Sequence, residues 1–402
     1  MINALRGMKD SLSPDNATYE YFIEHCSRIA KNYGFEFIET PILEETALFK
    51  RSVGESSDIV GKEMYQFTDK GGNDVCMRPE GTAGVVRAFV QHKMDRVDQT
   101  RRFFYHGPMY RYERPQKGRL RQFHQFGAEC FGEKDVKEDA AIILMLKEML
   151  DFLGIKATLK LNSLGCPTCM PPYRTSLITF LETLDGLCED CERRKTTNPI
   201  RVLDCKNEHC QSLLTPAPLL INHLCEECAT EFDALKSILN RFDVPYEIDP
   251  KLVRGLDYYS KTAFEFVSDE IGAQSSIAGG GRYDRLVEFL DGRPTPGIGF
   301  AMGIERLMEL IKMPQASREG IYMGSLCEEA SDLIYDLAIK KRRKEKVVLD
   351  YAVRSLKAHL KQADKKAAKY CACIGEDELA RQVIWFKDLE TKEEQFIALD
   401  SF

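Results

Sequence analysis

Between Tyr19 and Tyr33, apolar residues return at three- and four-residue steps through Phe22, Ile23, Cys26, Ile29 and Ala30. That period predicts an amphipathic helix, opened by Ser13-Pro14 and stopped at Gly34. The next stretch, "FEFIETPIL", reads as a short strand. Pro41 assigns it to a sheet edge, because proline has no N–H to give a central ladder. From Phe103 to Phe131 the pattern is strand, loop, strand: "FFYHGPMYRYE", "RPQKGR" and "LRQFHQFGAECF". Pro115 and Gly118 are turn residues, so two antiparallel strands with a basic connection are expected. A helix over "KEDAAIILMLKEMLDFLG" and a strand over "IKATLKLNSLG" follow, and strand signals return at "FDVPYEIDP". "GIGFAMGIERLMELI" reads as a glycine-rich strand entering a helix.

Two stretches break this pattern. Residues 163–232 are cysteine-rich and helical in periodicity, which suggests an insertion between parts of one sheet. After Pro314, the polar "QASREG" reads as a linker. Beyond it, strands and helices alternate: "GIYMGSL", a helix through "KKRRKEK", "VVLDYAV", a helix over "SLKAHLKQADKKAAKY", then "CACIG" and "RQVIWFKD". A small α/β unit at 320–402 is expected, beside an α+β domain in two parts, 1–162 and 233–314. The length of 402 residues agrees, since single cores rarely grow past ~250 to 300 residues.

Charge sharpens the picture. With 63 acidic against 56 basic residues the chain is acidic, so any affinity for phosphate must be local. "RYERPQKGRLRQFHQF", Arg111–Phe126, nevertheless carries five basic residues in its first eleven. Strand alternation puts Arg121, Phe123, Gln125, Gly127 and Glu129 on one face, and Gln122, His124, Phe126, Ala128 and Cys130 on the other. A cation, an aromatic plane, an amide and a carboxylate suit a phosphorylated aromatic ligand better than a core, although basic hairpin loops are often simply solvated. Three more segments bring polar groups into apolar surroundings: "CMRPEGTAGVVRAF" with Glu80 and Thr82, "LVRGLDYYSKTAFEF" with Arg254, Tyr258 and Tyr259, and "GIGFAMGIERL" with Arg306. Together they suggest one convergent site.

Eight of the fourteen cysteines fall in four close pairs between Cys166 and Cys228. Cys166, Cys169, Cys188 and Cys191 have the spacing of one structural zinc site, and Cys205, Cys210, Cys225 and Cys228 could form a second. Other pairings, buried free thiols and disulfides remain open. No apolar run approaches the ~18 to 20 residues of a membrane span, and "MINALRGMKDSLSP" lacks the apolar stretch of a secretory signal. A cytoplasmic protein without membrane contact is expected.

These segments resemble the class II aminoacyl-tRNA synthetases, and the histidyl-tRNA synthetase family in particular, over essentially the whole chain. "GFEFIETPILEE" is similar to the family's dimer-forming first motif, "MYRYERPQKGRLRQFHQFGAECFG" to its second and "GIGFAMGIERL" to its third. "LVRGLDYYS" and "AGGGRYD" resemble segments particular to the histidine enzymes. The resemblance implies an α+β catalytic domain with the class II antiparallel sheet, a helical insertion and a C-terminal α/β anticodon-binding domain. It also implies a homodimer that activates L-histidine with ATP and Mg²⁺ and transfers it to the 3′ end of tRNA(His).

By the same resemblance Arg111 would hold the α-phosphate, and Arg254 would bridge carboxylate and phosphate where related enzymes use a metal ion. Arg306 would hold the γ-phosphate and Phe123 would stack on adenine. Glu129 and Tyr259 would pair the imidazole, with Tyr258 beside them, while Glu80, Thr82 and Gln125 would take the ammonium group. Arg114, Gln116, Lys117 and Arg119 would face the tRNA acceptor end. Between Lys340 and Lys369, twelve basic and three acidic residues make a patch suited to a tRNA stem. Ser275 and Ser276 depart from a usual Gly-Thr, and Arg285 from a usual Gly, which affects the pocket wall more than the chemistry.

Three rivals remain at this level. A non-catalytic regulatory paralogue of histidine biosynthesis shares the catalytic core but usually lacks the C-terminal domain. A class II synthetase for glycine, proline or threonine would share the second and third motifs but not "LVRGLDYYS". An RNA-binding protein without chemistry would keep its tRNA affinity after loss of Arg254.

Overall fold

The computed structural model describes residues 2–402 except 55, 56, 58, 98, 117, 206, 253–257, 272–275 and 314–317. It divides into two compact units, Met1–Lys312 and Met313–Phe402. Among the described residues no helix is long and apolar enough to cross a membrane.

The first unit opens with the helix Asp15–Asn32, whose buried stripe of Phe22, Cys26, Ile29 and Ala30 is the one its periodicity predicts. The edge strand β1 (Glu36–Phe37) follows. A small antiparallel sheet, unforeseen in the sequence, comes next from β2 (Leu43–Glu45), β3 (Tyr65–Thr68) and β4 (Asp74–Met77). The helix Thr82–Gln91 then leads to the long hairpin of β5 (Arg101–Tyr110) and β6 (Gln122–Phe131). Beyond the helix Val136–Phe152 lie β7 (Thr158–Ser163), the insertion, β8 (Tyr246–Ile248), β9 (Ser260–Val267), β10 (Ser276–Arg282) and β11 (Gly297–Gly303).

These strands form an eight-stranded sheet in the order β1-β5-β6-β11-β10-β9-β7-β8. It is antiparallel except at its margins, where β1 pairs parallel with β5 and β8 with β7. One face is covered by the helices Asp15–Asn32, Val136–Phe152 and Glu226–Arg241 over Phe126, Ala128, Cys130, Ile298, Phe300 and Met302. The alternate residues of β6 and β11 face the other way, toward the helix Thr82–Gln91 and the candidate site. A buried ion pair ties the layers: Arg282 Nε donates to Asp139 Oδ1 at 2.8 Å, and the two side chains are 4% and 1% exposed.

The insertion is an enlarged crossover between the parallel strands β7 and β8, as parallel neighbours require. Its closing helix, Glu226–Arg241, serves both parts. Cys228 packs in the insertion's own core, whereas Phe232, Leu235 and Leu239 pack beneath the large sheet.

The cysteine grouping corrects the expectation from spacing. Cys166 and Cys169 lie with Cys225 and Cys228, and Cys188 and Cys191 lie with Cys205 and Cys210. The eighteen residues after Cys169 contain the helix Met170–Glu182, which at about 1.5 Å per residue carries the chain roughly 20 Å away. The second pair lies with Cys205 and Cys210, and the start of the helix Glu226–Arg241 completes the first group instead.

The second unit has a five-stranded sheet, with β12 (Ile321–Ser325), β13 (Val347–Asp350), β14 (Tyr370–Ile374), β15 (Val383–Asp388) and β16 (Glu394–Ala398) in the order β13-β12-β14-β15-β16. Its first three strands are parallel, and β15 and β16 add antiparallel edges. The helix Ser331–Lys341 packs Ile334 and Leu337 on Ile321 and Met323, and the helix Leu356–Lys365 covers Tyr322, Cys371 and Trp385 on the other face. The helix expected to run through "KKRRKEK" ends at Lys341, and Arg342, Arg343 and Lys344 turn out of it. Cations in the last turn and just past it stand at the helix's C-terminal end, where the macrodipole favours them.

Candidate active site

On the open face of the large sheet, a cavity of about 240 Å³ has residues 276–279 of β10 in its wall and is lined further by four segments. The turn before the helix Thr82–Gln91 contributes Glu80 and Thr82, and β5, β6 and their loop contribute Arg111, Glu113, Arg119, Phe123 and Gln125. Tyr258 and Tyr259 enter just before β9, and Arg306 stands in the short helix Ile304–Met308 after β11. Four segments dispersed in the sequence thus converge. Arg254 and Lys117 lie outside the described residues.

The cationic end of the cavity is held by backbone carbonyls. Arg306 Nε donates to Gly118 O at 3.0 Å and its Nη1 to Ser276 O at 2.7 Å. Burial pushes the Arg306 pKa down, and Arg119 and Arg111 act in the same direction. Arg111 Nε donates to Pro79 O at 2.9 Å, and its guanidinium lies 5.2 Å from the centre of the Phe123 ring. A flat ring beside a guanidinium leaves a slot suited to a planar aromatic ligand bearing phosphate.

The opposite end is built from carboxyl and hydroxyl groups. Glu80 accepts from Thr82 N at 2.7 Å and Ala83 N at 2.9 Å, so its carboxylate caps the helix while lining the cavity. Burial pushes its pKa up, against the pull of those N–H groups and of Arg111. Glu129 lies one layer deeper, 0% exposed and behind Thr82. It accepts from Thr82 Oγ1 at 2.6 Å and Tyr105 OH at 3.3 Å, and from Tyr283 OH. Desolvation pushes its pKa up to about 8; the neighbouring carboxylate of Glu80 adds to the rise and the three hydroxyls oppose it. Gln125 Oε1 is buried and has no hydrogen-bond partner among the described residues, an acceptor awaiting a donor at the cavity wall.

The strand alternation read from the sequence holds from Gln122 onward and fails at one position. Arg121 does not join Phe123 and Gln125, because β6 begins at Gln122. It lies 3.8 Å over the Tyr112 ring and donates to Glu113 O at 3.2 Å. The cavity's cations are Arg111, Arg119 and Arg306 instead. Within the loop, Arg114 and Gln116 are exposed, but Arg119 turns inward and pairs with Glu113 at 2.8 Å.

Sequence reasoning overlooked Tyr105, Tyr283, Glu113 and Glu305. Tyr105 stands opposite Gly127 in the β5–β6 register and fits only because position 127 carries no side chain. Tyr283 sits inside the quoted "AGGGRYD", and Glu305 inside "GIERL". The motifs were visible, and the role of these members depends on register. Glu305 accepts from the backbone and Nδ1 of His124, fixing the start of the helix Ile304–Met308 to β6.

Comparison with known proteins identifies the family. The sequence profile of the histidyl-tRNA synthetase family matches residues 7–167 and 188–307, and that of the anticodon-binding domain matches 320–402. The chain is 64% identical to the histidine–tRNA ligase of Sulfurimonas denitrificans over all of both chains, and 60% identical to that of Nitratiruptor sp. over 100% of this chain and 99% of the other. A crystal structure of the apo histidyl-tRNA synthetase of S. aureus superposes with a TM-score of 0.83 at 34% identity, covering 100% of this chain and 98% of that one. With two catalytic blocks and a matched C-terminal domain, the chain belongs to the histidyl-tRNA synthetase family.

Proposed function

We propose that the chain is a histidine–tRNA ligase whose cavity binds L-histidine at the Glu80–Thr82 end and ATP at the Arg111–Arg306 end. The observation that carries this reading is the convergence of Arg111, Phe123 and Arg306 with Thr82, Gln125 and the two tyrosines around one cavity. The histidine carboxylate attacks the α-phosphorus of ATP, the bond to the β-phosphate oxygen breaks, and histidyl-adenylate and pyrophosphate result. The ribose hydroxyl of the tRNA 3′ end then attacks the acyl carbon and AMP leaves.

Arg111 neutralises the α-phosphate, Arg306 the γ-phosphate, and Phe123 stacks on the adenine. Such catalysis rests on positioning and charge stabilisation, which fixed guanidinium groups supply. Arg254 bridges carboxylate and phosphate in this reading by resemblance alone. The orphaned Gln125 acceptor and Glu80 take the ammonium group, and Tyr258 and Tyr259 define the imidazole pocket, with Glu129 reached behind Thr82. Mg²⁺ would accompany ATP and supply further charge neutralisation at its phosphates. Arg114, Gln116 and Lys117 meet the acceptor end, with Arg119 reaching it from the cavity side.

The C-terminal unit meets the anticodon stem through its basic patch. Phe37, Ile42, Leu43 and Phe67, exposed apolar side chains around β1 and the small sheet, support a homodimer through this region. Free thiols throughout fit a cytoplasmic setting and structural zinc in the insertion. The regulatory-paralogue reading is not favoured, because full-length relatives are named ligases and the anticodon-binding domain is present.

Histidine-dependent ATP/pyrophosphate exchange tests the proposal, with other amino acids and Arg254→Ala as controls. Exchange with histidine alone, lost in the variant, supports it. Histidine binding without exchange would overturn it in favour of the regulatory paralogue.

A further inference from the structure

The eight cysteines of the insertion form two groups that cross the order of the chain. Building on the reading of structural zinc, we infer that the insertion holds two mononuclear zinc ions in nested sites. Cys166, Cys169, Cys225 and Cys228 hold the outer one, and Cys188, Cys191, Cys205 and Cys210 the inner one.

Geometry carries the inference. In each group the four sulfurs lie within 4.8 Å of one another. Cys166 Sγ is 3.6 Å from Cys169 Sγ and 3.7 Å from Cys225 Sγ, and Cys188 Sγ is 3.8 Å from Cys205 Sγ. A tetrahedral zinc with Zn–S bonds of about 2.3 Å sets its sulfurs about 3.8 Å apart. All eight residues are free thiols, and a four-way convergence is more than a disulfide asks for. An iron–sulfur cluster would spread its thiolates around several irons, so one ion per group fits better.

The surroundings suit bound thiolates. Cys225 N donates to Cys169 Sγ at 3.1 Å, Cys188 N to Cys210 Sγ at 3.2 Å and Asn207 N to Cys205 Sγ at 3.4 Å. Such N–H···S bonds orient and stabilise metal-bound sulfur. Cys169, Cys188 and Cys225 each stand at the N-cap of a helix, so the sites are assembled from elements the chain already forms. Around them is a small apolar core of Tyr173, Leu177, Leu181, Leu203 and Leu214. A core of this size ordinarily needs a staple.

The outer site also borders the histidine end of the cavity. Leu164 N donates to Lys261 O and Lys261 N to Gly165 O, both at 2.7 Å, which joins the chain entering Cys166 to the strand leaving Tyr259. Lys261 Nζ pairs with Glu227 at 3.1 Å and Glu231 at 2.9 Å, on the helix that carries Cys228.

The test is metal analysis of the full-length protein purified without chelator. About two zinc ions per chain are expected, one for each four-thiolate group. Cys169→Ala with Cys228→Ala should halve the content, and so should Cys191→Ala with Cys210→Ala. Sequential pairing would instead damage both sites in each double variant.

A second measurement needs no variant to fold. Withdrawing about one equivalent of zinc from the wild type and alkylating the released thiols should label the cysteines in the two nested sets, read by peptide mass spectrometry. Eight freely alkylated cysteines and no zinc would overturn the metal sites, and iron in their place would overturn the metal assignment. Labelling in mixed or sequential sets would overturn the nesting. Histidine-dependent exchange is measured separately, so failure of the zinc sites and failure of the ligase reading are distinguishable.

Discussion

Glu129 stands directly opposite Gly299 in the β6–β11 ladder, and a side chain at 299 would overlap the carboxylate's Oε2. The glycine-rich strand "GIGFAMG" therefore makes room for the buried carboxylate as well as for ligand. Gly299→Ala should force Glu129 off Tyr283 and Thr82 and lower stability by about 1–3 kcal/mol through overpacking. It should also raise the KM for histidine more than that for ATP. Denaturant unfolding and exchange kinetics check both; equal KM changes for the two substrates would refute the separation of the cavity into two ends.

Glu129 also sets a pH dependence. Its folded pKa of about 8 lies above the unfolded carboxyl value of about 4.3, so the free protein favours the protonated form. That stability is full below the unfolded value and is lost as pH rises toward 8. Glu129→Gln removes the loss, so the variant should gain on the wild type between pH 5 and pH 8. Histidine, arriving with a charged ammonium and an imidazole N–H, favours the ionised carboxylate, so its binding should release a proton and tighten over the same range. Calorimetry at pH 7 in buffers of different ionisation heat measures the release, and none would count against a neutral Glu129.

Arg306 joins the loop and β10 through Gly118 O and Ser276 O. Lysine has one point charge in place of a planar fork and cannot reproduce both bonds while facing a phosphate. Arg306→Lys should reduce exchange on the order of 10²-fold, the usual effect of losing one transition-state donor. The thermal midpoint should move little by comparison. A large stability loss at unchanged activity would reassign the residue to scaffolding.

Arg282→Ala would leave the Asp139 carboxylate, 1% exposed, without its cation. Breaking a buried pair by removing one partner costs about 3–5 kcal/mol, and the additional Asp139→Asn change should recover part of it. A double-mutant cycle by chemical denaturation checks this coupling, which additive losses would exclude.

In the second unit, Lys340, Arg343 and Lys344 are exposed. Reversing all three charges should weaken tRNA binding and flatten its salt dependence by roughly 0.7 to 0.9 in log–log slope per lost phosphate contact. Histidine-dependent exchange, which needs no tRNA, should be unchanged. An unaltered salt slope would direct the search for the stem contact elsewhere.

The sequence was most legible where one period governs one face. The buried stripe of the first helix and the two faces of β6 from Gln122 follow from helical spacing and alternation, and the convergent segments from polar groups set in apolar surroundings. Relations set by register or by the third dimension stayed hidden. Tyr105 over Gly127 requires knowing how β5 and β6 slide against each other, and Arg121 required knowing where β6 begins. The cysteines show the limit most clearly: spacing identifies C-x2-C pairs, but the path of the chain between them decides which pairs meet. The small sheet of β2, β3 and β4 was missed because its strands are only three or four residues long.

The crossover between β7 and β8 has one further consequence. Parallel neighbours put the chain's exit from β7 and its return to β8 at opposite ends of the strands, so the insertion must carry the chain back along the sheet, which its closing helix Glu226–Arg241 does while packing on the sheet's core. The helix Met170–Glu182 buries Tyr173, Leu177 and Leu181 in the insertion's own core, so its length and make-up are not tied to the register of the catalytic strands. A break in the family match at 168–187 spans that helix.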